Sequence, residues 1–99
     1  MAAPRRSGRF RSAPRRSREL ELAASRLGAR VRSLRKRNEL TQQEAAEVAS
    51  IETKHWQLIE AGGTNPTLAT LLAVARALDV DLAELLRFDP HSEPRRQRS

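Results

Sequence analysis

Thr53, Lys54 and Gln57 place a hydroxyl, an ammonium and a carboxamide close together in the sequence. At about 100° per residue they fall, with Ala61, on one side of a short helix, while Trp56 and Ile59 fall on the other. Leu58 and His55 occupy the borders between these faces. Such a row donates and accepts hydrogen bonds toward a polar surface, which is recognition chemistry rather than bond making. No Ser-His-Asp, Cys-His, phosphate-loop or paired metal-ligand arrangement accompanies it, so the chain reads as a non-enzyme without a cofactor. His55 and His91 are far apart and there is no cysteine, which argues against a metal site and excludes a disulfide framework. Trp56 and Ile59 are expected to pack inward as core, with Trp56 structural rather than a stacking surface.

Those side chains need a rigid support, and the sequence supplies its punctuation. Thr41 with Glu44 three residues later forms a capping box, so a helix is expected over residues 42–49, carrying the small Ala45, Ala46 and Ala49 beside Val48. The next helix is expected over 53–61, stopped by Gly62-Gly63, since glycine tolerates the left-handed conformation that closes a helix. Two short helices joined by a tight turn result. Upstream, Leu20, Ala23 or Ala24, Leu27, Val31 and Leu34 form the apolar stripe of a helix over 19–37. Its end is basic, with Asn38 as the expected left-handed residue and Leu40 returning to the core. Downstream, Asn65 and Pro66 are the expected cap and first residue of a helix whose stripe is Leu68, Leu71, Leu72, Ala75 and Leu78. Asp81 then caps a last short helix, with Leu82, Leu85, Leu86 and Phe88 closing the core. The expected fold is all-α, a compact five-helix bundle over residues 19–88.

Charge marks the boundaries of that bundle. The formal net charge of +7 divides into +7 over residues 1–18, −1 over 19–88 and +1 over 89–99. The first and last segments are polar and carry few large apolar residues, so they are expected to be disordered tails. The Arg-rich start reads as a solvating tail, as an arm that grips a polyanion through residues such as Arg5 and Arg6, or as an organelle transit peptide without the usual amphipathic face. A misplaced start codon is a further reading. No apolar run approaches the roughly 20 residues needed to span a bilayer. A soluble, intracellular protein without a membrane partner or an evident small-molecule substrate is expected.

Three blocks stand in register without a gap: LGARVRSLRKRNELTQQE, IEAG and NPTLATLLAVARALDVDLAELL. Across them, residues 27–86 resemble the lambda-repressor-like, Cro-type family of helix-turn-helix domains, also called the xenobiotic-response-element family. The resemblance implies a lambda-repressor-like bundle whose partner is double-stranded DNA, with the helix from Thr53 lying in the major groove. Thr53, Lys54, Gln57 and Leu58 would read base edges, and Gln42 and His55 would contact the backbone. Lys donates to guanine O6 and N7, Gln pairs with adenine N6 and N7, and a Thr or Leu carbon meets the thymine methyl. Arg35 and Glu60 would form a structural ion pair. The implied function is transcriptional regulation, with repression by operator occupancy as the favoured mode. A homodimer on two half-sites one helical turn apart is the expected assembly, in the cytoplasm at the nucleoid. The alternative is an interaction module for a partner regulator, or an antitoxin-like protein, with secondary DNA binding. Four positions depart from the family pattern: Glu39 and Ser50 where glycine is frequent, Glu52 where Ser or Thr caps the recognition helix, and Trp56 where a smaller aliphatic residue is usual.

Overall fold

The computed structural model describes residues 17–88. They form five helices and no strand: α1 Arg18–Arg37, α2 Gln42–Ala49, α3 Thr53–Glu60, α4 Leu68–Ala77 and α5 Leu82–Leu85. The tails expected over 1–18 and 89–99 lie outside the described residues except for Ser17 and Arg18, which cap and begin α1. The Ser17 Oγ accepts from the Leu20 N–H at 3.0 Å, and Glu19 and Glu21 in the first turn complement the helix dipole.

The core gathers around Trp56, Leu34, Ile59, Leu78, Leu85, Val31 and Val74, all essentially without solvent contact. The stripe of α1 lies as expected, with Ala24, Leu27, Val31 and Leu34 buried. Ala45, Ala46 and Ala49 let α2 sit close against its neighbours. It packs on α3 and α4, while α1 packs on α3 and α5 closes the bundle against α1 and α4.

The face of α4 differs from the expected stripe. Its inward line is Leu71, Val74, Ala75 and Leu78, whereas Leu68 is 61% and Leu72 49% exposed. Leu72 lies about 100° around the helix from Leu71, and therefore to one side of that line. Leu68 is the first residue of the helix. The cap is also displaced: Thr67, not Asn65, accepts from the Thr70 N–H at 3.1 Å, so Pro66 precedes the helix. In α5, Asp81 caps as expected. Leu85 is buried, Leu82 and Phe88 pack partly against the core, and Leu86 remains 39% exposed.

Helix closure follows one hydrogen-bond pattern four times. After α1, the Glu39 N–H donates to the Lys36 carbonyl and the Leu40 N–H to that of Arg35. Ser50 with Ile51, Gly62 with Gly63 and Asp79 with Val80 repeat it after α2, α3 and α4. Glu39 at φ 58° is therefore the left-handed residue, while Asn38 stays at φ −90°. Asn38 instead uses its side chain, whose Nδ2 donates to the carbonyls of Leu34 and Leu78 and ties the ends of α1 and α4 together.

Candidate nucleic-acid interface

The capping box of α2 is complete. The Thr41 Oγ1 accepts from the Glu44 N–H at 3.0 Å, and the Glu44 carboxylate accepts from the Thr41 N–H at 2.8 Å. Ser50 closes α2 at φ 62°, ψ 40°, and after one further turn residue the extended Glu52 begins α3. The Glu52 carbonyl accepts from the Trp56 N–H, but its exposed carboxylate makes no capping hydrogen bond.

Trp56 and Ile59 anchor α3 from within, and Gly28 fixes how close α1 comes. A β-carbon at Gly28 would collide with the carbonyl oxygens of Glu60 and Ile59, so only glycine permits this approach to the last turn of α3. An isolated glycine inside an otherwise regular helical pattern is the sequence signal for such a contact. Apolar periodicity and capping patterns pass over it, because glycine contributes to neither.

Glu60 is the hub beneath the helix pair. Its carboxylate accepts from Arg35 Nε at 2.6 Å, Arg35 Nη2 at 3.0 Å, Trp56 Nε1 at 2.7 Å and Gln42 Nε2 at 2.9 Å. Arg35 also donates to the Leu40 carbonyl at 2.8 Å, tying the turn after α1 into the same set. Burial by itself pushes the Glu60 carboxyl upward. Hydrogen bonds from Arg35, Trp56 and Gln42, with the guanidinium charge, outweigh that and hold it below its ordinary value.

On the outer side, Lys54, Gln57 and Leu58 are exposed, and Thr53 and His55 are half-buried. Gln42, also half-buried, stands beside them: its Oε1 accepts from Gln57 Nε2 at 3.3 Å, linking the first turn of α2 to the middle of α3. This link has no signature in the sequence, because a carboxamide does not announce its partner. Arg5 and Arg6 lie outside the described residues. Among the described residues, no group of three His, Asp or Glu side chains converges as a metal site would require, and no helix is long and apolar enough to cross a membrane.

The arrangement is a firmly anchored helix with a cation, a carboxamide and an aliphatic side chain exposed on its outer face. Its dimensions suit the major groove of duplex DNA, which admits one α-helix and displays donor and acceptor patterns to such groups.

Residues 26–88 match the sequence profile of the family described as "Helix-turn-helix domain". An immunity repressor protein of Bacillus phage phi105 is 37% identical over 60 residues, which cover 61% of this chain and 42% of the repressor; the chain thus spans less than half of that relative. The restriction-modification controller protein C.AhdI of Aeromonas hydrophila superimposes with a TM-score of 0.62 at 31% identity, covering 63% of this chain and 94% of the controller. The clp gene regulator ClgR of Corynebacterium glutamicum gives a TM-score of 0.60 at 30% identity, with 68% of each chain covered. These similar proteins are named as a repressor, a controller and a regulator, none as an enzyme.

Proposed function

The chain belongs to the helix-turn-helix domain family, and we propose that it is a DNA-binding transcriptional regulator of the lambda-repressor-like kind that represses transcription by occupying an operator as a homodimer. The observation that carries this reading is the outer face of α3, where Lys54, Gln57 and Leu58 are exposed while Trp56 and Ile59 pin the helix from within. On this reading Thr53, Lys54, Gln57 and Leu58 contact bases, and Gln42 and His55 contact the backbone. Arg5 and Arg6 in the N-terminal segment contact phosphates. Arg35, Glu60 and Trp56 hold the frame. Similarity to a phage immunity repressor favours repression over activation. One recognition helix spans only a few base pairs, so two copies on half-sites one helical turn apart supply the site length that specificity needs.

The near-neutral charge of residues 19–88 and the uncapped carboxylate of Glu52 at the start of α3 favour, as a second reading, a module that binds a partner regulator. Selection from random duplex DNA at near-physiological salt separates the two. The first reading expects an enriched, roughly palindromic motif that a Thr53→Ala, Lys54→Ala, Gln57→Ala triple variant loses. Retention of DNA without any motif would favour the second.

A further inference from the structure

The hydrogen bonds running from Glu60 to Gln57 have a direction. An ionised carboxylate only accepts, so Gln42 must turn its Nε2 toward Glu60, at 2.9 Å. Its Oε1 is then the atom presented to Gln57, and an amide oxygen also only accepts, so Gln57 must offer Nε2, at 3.3 Å. Carboxamide orientation is ordinarily assigned from its surroundings because O and N look alike. Here the buried end dictates it. The two Arg35 donors and the Trp56 indole keep Glu60 occupied from its other sides.

What remains to the exposed Gln57 is Oε1 and one N–H, neither with a hydrogen-bond partner among the described residues. An acceptor beside a donor matches adenine, which shows N6–H and N7 in the major groove. Were Gln42 reversed, its N–H would consume the Gln57 oxygen and leave two donors facing outward. That pattern suits guanine, whose O6 and N7 both accept. We propose that Glu60, acting through Gln42, sets Gln57 as a reader of adenine against guanine. Gln42 and Glu60 are positioning residues in this relay, which rests on the reading that α3 lies in the major groove. Gln42 accordingly does more than contact a phosphate.

The test compares wild type, Gln57→Ala and Gln42→Lys by binding titration on the selected operator and on its single adenine-to-guanine replacements. A lysine at 42 can still donate to Glu60 and contact a phosphate, but offers Gln57 no acceptor. Wild type is expected to prefer adenine at one position per half-site by about tenfold, and Gln57→Ala to abolish that preference. Gln42→Lys is expected to reduce it to about threefold or less while the remaining positions of the motif keep theirs. Gln42→Met, similar in volume and also without an oxygen, is expected to show the same reduction and guards against a folding effect of the lysine. Full adenine preference in both folded position-42 variants would overturn the relay, as would a motif with no adenine position sensitive to Gln57→Ala. A wild-type protein that selects no motif would overturn the DNA reading itself, and the relay with it.

Discussion

Glu60 accepts four hydrogen bonds from three side chains while only 3% of its own side chain meets solvent, and its partner Arg35 is 10% exposed. Removing the carboxylate leaves a buried guanidinium without a counter-charge, so Glu60→Ala is expected to cost about 3–5 kcal/mol in denaturant unfolding. Glu60→Gln retains volume and some hydrogen bonding and should fall between that variant and wild type. The pH dependence has a definite sign. The folded carboxyl lies below its ordinary value of 4.5, so its stabilisation is complete above the unfolded pKa and is lost as pH falls through the folded one. Melting followed from pH 7 downward should therefore drop more steeply below about pH 4.5 for wild type than for Glu60→Gln. Parallel curves would show that Glu60 is not the group responsible. The Arg35–Glu60 pair is legible in the sequence through family register. Gln42 to Gln57 and Asn38 to Leu78 are not, because each joins residues distant in sequence through an amide or carbonyl that fits many partners.

At the level of the helices, the closures explain both what the sequence reveals and what it conceals. Caps at Thr41 and Asp81 and the stripe of α1 are legible because their local patterns are self-sufficient: a side-chain acceptor three residues before its N–H, or apolar residues recurring on one face. Helix α1 ends at Arg37 as expected, but its left-handed residue is Glu39 rather than Asn38, although Asn is the better left-handed residue by type. The observed closure instead aligns the Leu40 N–H with the Arg35 carbonyl, which forces Glu39 to φ 58°. Ser50 at φ 62° and Asp79 at φ 61° meet the same demand after α2 and α4. A residue with a β-carbon is strained there, partly offset by glycine's greater loss of chain entropy on folding, so Glu39→Gly and Ser50→Gly should each stabilise by about 0.5–1 kcal/mol. Asp79→Gly should gain less, since Asp tolerates this region better. Chemical unfolding of the three single variants checks the order, and a destabilised Ser50→Gly would contradict the strain argument. Leu68 and Leu72 escape the expected core for a different reason: periodicity identifies a face, but which edge of that face a neighbour covers is decided by packing.

Across the whole chain, the charge proposed to attract DNA and the surface proposed to read it belong to different segments. Residues 19–88 carry −1, whereas residues 1–18 carry +7, so the helix-turn-helix frame contributes little net attraction of its own. Each phosphate neutralised by an Arg or Lys adds about −0.9 to the slope of log affinity against log salt on duplex DNA. Base recognition by α3, as proposed, would leave that slope nearly unchanged and determine the preferred sequence. A chain beginning at Ser17 retains the cap of α1 and every described helix, and so separates the two contributions without disturbing the fold. It is expected to bind the same motif with weaker affinity and a slope reduced in magnitude by about 0.9 for each phosphate that the missing arginines neutralise in the full chain. Fluorescence anisotropy across a salt series, with the selected operator and a scrambled duplex, measures both quantities. An unchanged slope would remove Arg5 and Arg6 from the DNA interface, and a changed motif would make the N-terminal segment a reader of sequence or groove shape. If the slope falls while the motif stays, attraction and discrimination reside in separate parts of the chain, and α3 keeps its base preference at salt concentrations where the arginines no longer hold the protein to DNA nonspecifically.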